Sequence, residues 1–319
     1  MLKTTTTAAL VATLFAGASQ AATFQTSDNT KFNVNVDVGA YYLSKKNADG
    51  KAETQIAGKG INQIQIKGES KLADGIKVFG QVELDFDPVK NNDTAKTDDI
   101  KLGVEGSFGK LTVGQWDSFA EDNVFETLGV GHGETGFVTE PASGNDGRHV
   151  QYSNKFGNLA FGIDLTHSAS SADGTKTGMG TALGVTYKLD QLTLGLATDT
   201  IAKYVDDTGA ESKDKSTTGV SAKYKMGNAT LLAMVATTKP VTGTDKTKYS
   251  GVGVTYDMGA INFGLAYQRV KTGSTSRNET SAGVSYEAYK NMTVYLDMAN
   301  LGQAKSKGNT VEMGVAYKF

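Results

Sequence analysis

Between residues 117 and 146 the chain carries seven carboxylates, Asp117, Glu121, Asp122, Glu126, Glu134, Glu140 and Asp146, with no lysine or arginine among them. Such a run can do one piece of chemistry without a cofactor. Held beside a narrow water-filled space, it raises the local cation concentration and repels anions. Left on a solvated surface, the same composition does nothing of the kind. What decides is therefore where the run is held. The one tryptophan, Trp116, stands immediately before it, and Arg148, one of three arginines, begins the stretch after it. Trp116 suits a packing anchor at the point of departure, with a sugar-stacking platform as the weaker reading. Arg148 is a candidate anchor at the return.

Other chemistries lack their residues. His132, His149 and His167 are too widely spaced for a catalytic zinc motif. There is no dinucleotide glycine motif after a strand and no phosphate-binding Gly-Lys-Ser/Thr loop. Asp206-Asp207 reads as solvated loop rather than a calcium site. No serine–histidine arrangement points to an enzyme, so no catalytic residue, metal or cofactor is expected. A formal net charge of −2 gives no reason to expect a nucleic-acid partner.

Period-two alternation dominates the elements around the acidic run. Phe32, Val34, Val36, Val38, Ala40 and Tyr42 alternate with polar or small residues, as do Leu183, Val185, Tyr187 and Leu189, and Val311, Met313, Val315, Tyr317 and Phe319. The pattern predicts sixteen strands: 32–42, 60–69, 76–86, 98–107, 110–116, 147–154, 158–167, 178–188, 191–200, 215–225, 229–237, 249–258, 260–269, 279–287, 291–299 and 310–319. Only three prolines interrupt the whole chain, which suits long strands. No stretch after residue 21 is apolar enough for a membrane helix, but a membrane barrel would not show one.

The connections alternate. Short turns are expected near 70–75, 107–110, 154–158, 188–191, 225–229, 257–260 and 287–291. Long polar loops are expected near 43–59, 87–97, 117–146, 168–177, 201–214, 238–248, 270–278 and 300–309. A unit of aromatic, apolar, turn, apolar recurs across the turns, as at Tyr187–Leu194 and Tyr224–Leu231. Tyrosines beside turns fit an aromatic girdle at a membrane interface. An even number of strands with no lipid-exposed edge predicts a closed antiparallel transmembrane β-barrel. Strand parity then turns Lys67, Lys77 and Lys101 inward as a basic wall, beside Gln65, Gln81, Glu69, Glu83 and Glu105. Arg148 points outward on the same parity.

The N-terminus reads differently. Lys3, an apolar stretch over residues 8–16 and the small-x-small site Ser19-Gln20-Ala21 predict a signal peptide over 1–21, cleaved after Ala21, with Ala22 as the second option. Residues 22–319 are then one barrel domain. An exported chain with no cysteine takes its stability from something other than disulfides.

Four features carry a resemblance. The end Tyr317-Lys318-Phe319 is similar to a barrel-assembly signal. Val104–Asp117, with its Phe-Gly-Lys-Leu turn, Tyr152–Leu159, and the long third loop resemble the corresponding parts of the trimeric general porins of Gram-negative outer membranes, especially those of marine and enteric gamma-proteobacteria. The likeness spans essentially the mature chain. It implies an outer-membrane diffusion porin for small hydrophilic solutes and ions, with short periplasmic turns, long extracellular loops and an inward-folded third loop, about 117–146. Asp117, Glu121, Asp122 and Glu126 would then line the constriction opposite the basic wall, giving mild cation preference. The same resemblance implies a homotrimer, contact with outer-membrane lipid and lipopolysaccharide, and handling by the barrel-assembly machinery. The third loop departs from the family in lacking a Pro-Glu-Phe-Gly-Gly-Asp-like patch, Pro141 being its one proline. A substrate-specific channel for oligosaccharides or nucleosides is the alternative, and an adhesive or receptor barrel a more distant one.

Overall fold

The computed structural model describes residues 22–27, 29–46, 51–57, 62–72, 75–86, 95–132, 138–139, 141, 147–166, 176–177, 180–201, 204–205, 211–212, 215–239, 245–302 and 309–319. The expected signal peptide lies outside the described residues.

The strands, in chain order, are β1 Ala22–Ser27, β2 Thr30–Lys46, β3 Ala52–Ala57, β4 Gln63–Lys71, β5 Lys77–Asp85, β6 Lys96–Gly106 and β7 Gly109–Trp116. After an intervening segment come β8 Gly147–Phe156, β9 Leu159–Thr166, β10 Lys176–Thr177, β11 Gly180–Leu189, β12 Leu192–Ile201, β13 Tyr204–Val205 and β14 Glu211–Ser212. The chain finishes with β15 Lys215–Met226, β16 Ala229–Lys239, β17 Thr247–Asp257, β18 Ile261–Thr272, β19 Thr275–Tyr289, β20 Met292–Asn300 and β21 Thr310–Lys318. The two-residue strands β10, β13 and β14 form a small separate sheet.

All other strands belong to one antiparallel sheet that closes on itself, because β21 pairs with β2. β3 and β4 lie end to end along one edge of β2, through Tyr41↔Ala57 and Asp37↔Gln63, and count as one stave. β1 and β21 share the other edge in the same way, through Ala22↔Val34 and Asp37↔Lys318. The result is a closed barrel of sixteen staves. Closure removes the edge that an open sheet would expose.

Side chains sort by parity into two faces. Ile163, Leu165, Leu183, Leu194 and Leu196 are exposed on the outer face, while Asp164, Ala182, Ala197 and Asp199 between them are buried. The polarity is inside out relative to a water-soluble sheet. Large apolar groups face outward, and small or polar groups face the lumen. Tight turns need left-handed backbone, which Asp190 (φ 48°) and Asn291 (φ 68°) supply without glycine.

Every expected strand is present, with ends displaced by a few residues, and four features differ, the first being that β10, β13 and β14 lie in the loops expected over 168–177 and 201–214. The loop expected over 270–278 is a hairpin in which Thr272 pairs with Thr275 across Gly273 and Ser274. Strand β3 occupies part of the loop expected over 43–59, and β1 was not expected at all. Where β3 gives way to β4, the Asn62 side chain replaces a strand partner. It accepts from the Gly39 N–H at 2.9 Å and donates to the Gly39 carbonyl at 3.0 Å. Asn62→Ala should therefore leave both Gly39 groups without that partner and cost about 1–3 kcal/mol. The readout is the urea midpoint of the folded barrel in detergent, and an unchanged midpoint would contradict this role.

Candidate functional site: the inner wall and the segment after β7

Strand β7 ends at Trp116, which is buried. The chain then turns inward. Ser118 starts the turn, its hydroxyl accepting from Glu121 N–H at 3.2 Å and its carbonyl from Asp122 N–H at 3.1 Å. A π-helical turn follows at Glu121–Phe125. A π turn leaves backbone groups that an α-helix would pair, and local side chains answer some of them. Asn123 Nδ2 donates to the Phe119 carbonyl at 3.0 Å, and the Thr127 hydroxyl to the Val124 carbonyl at 2.9 Å.

Three wall carboxylates hold the segment. Asp164 on β9 accepts from Phe119 N–H at 3.2 Å. Asp297 on β20 accepts from His132 N–H at 2.8 Å. Glu279 on β19 accepts from Thr139 N–H at 2.7 Å and from the Thr139 hydroxyl at 2.8 Å. All three are fully buried. Gln151 donates to the second oxygen of Asp164 at 2.7 Å, and Arg277 donates to Glu279 at 2.7 Å. Gln268 adds a bond to the Thr139 carbonyl at 2.6 Å. Buried carboxylates need such donors, and backbone N–H groups supply them here.

Between these anchors the contact is apolar and close. Ala120, Val124, Phe125, Leu128 and Val130 cluster with Ala182, Ala197, Met234, Ala236 and Ala266 of the wall. The wall makes room by omitting side chains. A Cβ added at Gly162 or Gly184 would lie 3.0 Å or closer to Phe119, at Gly195 to Val124, at Gly219 to Phe125, at Gly251 to Leu128, and at Gly264 to Val130. Gly283 has the same relation to Gly131. A track of inward-facing glycines thus runs across β9, β11, β12, β15, β17, β18 and β19, and the segment lies in it.

Its other face carries acid. Asp117 and Asp122 are exposed, Glu121 and Glu126 half-buried. Carboxylate oxygens of Asp117, Asp122 and Glu126 lie within 4.8 Å of one another. Although the residue as a whole is exposed, partial desolvation of the Asp122 carboxyl against the segment, reinforced by Asp117, pushes it up to about 6. Lys101 opposes that shift. Further along, burial holds His132 below the ordinary imidazole value, and its ring packs 4.9 Å from Tyr295.

Lys67, Lys77 and Lys101 occupy inward positions on β4, β5 and β6, as parity predicts. Two of them are already matched by acid. Lys77 pairs with Glu105 at 3.3 Å and Glu69 at 3.7 Å, and Lys101 with Asp99 at 2.6 Å. Lys101 also sits 5.7 Å from the Trp116 ring, a reach at which cation–π attraction acts. Lys110 on β7, missed by sequence reading, lies 4.5 Å over the Phe79 ring. Arg148 pairs with Gln115 through the backbone of β8 and β7, and Arg277 reaches the segment's end at the Thr139 hydroxyl. Glu134, Glu140 and Asp146 lie outside the described residues. At the chain's end Tyr317 and Phe319 pack edge to face at 4.7 Å, and Phe319 N–H donates to the Val36 carbonyl at 2.8 Å.

Sequence comparison matches residues 6–309 to a family described as "Gram-negative porin". A "Monosaccharide porin" of a Halomonas species is 22% identical over the whole of both chains, as is the "Major outer membrane protein" of Halomonas elongata. Among solved structures, the anion-selective porin of Comamonas acidovorans superposes with a TM-score of 0.73 at 16% identity, covering 91% of this chain and 100% of that one. OmpF of Salmonella typhi, in a complex with daunomycin, gives 0.74 at 20% identity, with 93% and 100% covered. Identities this low establish a shared fold.

The glycine track makes a direct prediction. Gly251→Leu or Gly264→Leu should dislodge the segment at an overpacking cost of about 1–3 kcal/mol. The wild-type barrel should resist a glutamate-specific protease at Glu121 and Glu126, and the variants should be cut there while the barrel stays folded. Equal resistance in all three would refute the docking.

Proposed function

The chain belongs to the Gram-negative porin family, an outer-membrane β-barrel with a diffusion-type channel, and from that premise we propose that it is a general porin for small hydrophilic solutes with a mild preference for cations. Residues 1–21 are its cleaved export signal. The tight turns between strands face the periplasm and the longer connections face outside. The segment after β7, about 117–146, is the constriction. The working oligomer is a homotrimer, assembled in the membrane by the barrel-assembly machinery.

One observation carries the selectivity reading: Asp117, Asp122 and Glu126, two exposed and one half-buried, bring carboxylate oxygens within 4.8 Å of one another on the segment that lies inside the barrel. Lys101, whose charge acts on Asp122, is itself paired with Asp99, and Lys77 with Glu105. Excess carboxylate at a narrow point attracts cations, and salt weakens the effect by screening. Tyr317 and Phe319 act as the assembly signal, and Trp116 fixes where the segment leaves the wall.

A second reading, a channel suited to sugars, draws on a row of amides on the wall of β2, β4, β5 and β6. Asn35 donates to Gln65 at 3.1 Å, Gln65 to Glu83, and Gln81 to Asp99 at 3.2 Å. Such a row offers paired donors and acceptors to hydroxyl groups. The relative named a monosaccharide porin leans the same way.

The test is single-channel current across a planar bilayer under a KCl gradient. Ohmic steps with a reversal potential favouring potassium are expected at pH 7.5. Because Asp122 titrates near 6, its charge is present above that pH and lost below it, so the preference should fall between pH 7 and pH 5. Asp122→Asn should lower the preference at pH 7.5 and remove most of that pH dependence. A reversal potential at zero or favouring chloride would reject the acidic-constriction reading and leave a porin of other selectivity.

A further inference from the structure

Gly129, Val130, Gly131 and His132 roof a cavity of about 500 Å³ on the tight-turn side of the segment. Its floor is the inner face of β15–β19. Tyr224, Leu231, Tyr256, Phe263 and Tyr286 are exposed on the outer face, so Lys225, Thr230, Thr255, Asn262 and Ser285 turn inward. The inward residues form a grid. Lys225 stands opposite Thr230 and Thr230 opposite Thr255, while Asn262 stands opposite both Asp257 and Ser285. Gly264 and Gly283 continue the first of these rows without side chains, and there the segment settles against the wall through Val130 and Gly131.

The polar atoms of this grid are uncommitted. Among the described residues, the side chains of Thr230, Thr255, Asn262 and Ser285 make no hydrogen bond to the protein. The amide row on β2, β4 and β5 is different, since Asn35, Gln65 and Gln81 are bonded to one another or to acids beside them. Charge on the floor is balanced, with Lys225 at one edge and Asp257 at another. Asp257 accepts from the Gly259 N–H at 2.7 Å, which fixes the carboxylate in its turn and leaves it further acceptor capacity. The aromatic residues of the floor, Tyr256 and Phe263, point outward and give the cavity no stacking surface.

A ligand that suits such a floor carries many hydroxyl groups and no net charge. An anion would meet Asp257 and a cation Lys225. Cross-strand neighbours lie about 5 Å apart and successive inward residues about 7 Å apart, so hydroxyls spread around one small ring reach several of them at once. We infer that this cavity is a binding site for a neutral monosaccharide. Thr230, Thr255, Asn262 and Ser285 hold its hydroxyls, with Lys225 donating and Asp257 accepting at the edges. The inference rests on the channel reading, and it places the sugar contact on the wall beneath Gly129–His132 instead of on the amide row. A cavity of this volume lies within the usual range for small-molecule sites.

The experiment adds glucose to single channels of the full barrel in KCl and reads the current noise, with ligand-observed NMR of the folded barrel in detergent as the second readout. Wild type should show noise that saturates with glucose, whereas a polyethylene glycol of similar size should lower the current without saturating. Thr255→Val, Asn262→Leu and Ser285→Ala remove polar atoms at nearly constant shape. Each should weaken glucose binding about fivefold with conductance in KCl unchanged. Asn35→Leu should leave binding as it is. If one of the three variants does not fold, the other two are read. Binding that survives all the floor variants, or that disappears in Asn35→Leu, would overturn the site. Steady conductance with no glucose binding by either readout would overturn it too, and would leave the channel reading standing. Glucose binding by NMR in a barrel that passes no current would sink the channel reading and support the site.

Discussion

Three carboxylates that never meet solvent hold the inside of this barrel in order. Asp164 stands on β9, Glu279 and Asp297 on the neighbouring strands β19 and β20, and each accepts a backbone N–H from the segment after β7. A loop inside a barrel has backbone groups that must find partners or stay wet. A carboxylate inside a barrel must find donors or lose its charge. Each need answers the other here, and the rest follows. The segment is fixed along one wall, so the wall must be thin there, and glycines make it thin. With one face committed to that wall, the acidic face has only the lumen to look into. Breaking one anchor takes a donor from a buried carboxylate, which costs more than the hydrogen bond gains by forming.

The charge pattern across the lumen is less simple than a basic wall facing an acidic loop. Lys77 and Lys101 are cations set beside acids of their own strands or neighbours. Half-exposed pairs of this kind contribute little stability, on the order of 0–1 kcal/mol. Their effect is to bring the charge of the wall around Lys77 and Lys101 closer to balance. Asp122 works against itself. Desolvation on the segment, with Asp117 beside it, raises the Asp122 carboxyl toward neutral pH.

Most of the fold was legible because a strand with one apolar face writes that face into every second residue. Sixteen strands could be read from that rhythm alone. The reading failed where the rhythm runs out but the strand does not. Lys271 and Ser276–Asn278 look like loop by polarity, yet β18 and β19 carry them past the apolar belt, where an outward side chain meets water and need not be apolar. In the same way β3 hides inside a polar stretch. The site was legible in part. The acidic run announces itself by composition, and parity alone turns Lys67, Lys77 and Lys101 inward. The anchors do not announce themselves. Nothing local tells Asp297 that its donor is His132, 165 residues earlier, or Glu279 that it holds Thr139. The glycine track leaves a faint trace, since Gly162, Gly184, Gly195 and Gly219 fall on inward positions of successive staves. Each alone could be any strand glycine, and only the segment lying in the track gives them a common reason.

The account depends most on the claim that the anchored segment, and not the barrel wall, sets the width of the channel. Exclusion of graded polyethylene glycols from the open channel measures that width directly. The triple variant Asp164→Asn, Glu279→Gln, Asp297→Asn removes the anchoring charges and leaves the barrel's backbone ladder intact. The account predicts that this variant admits larger polymers than wild type and conducts more current. A cut-off and conductance equal to wild type, in a variant that still folds, would contradict it.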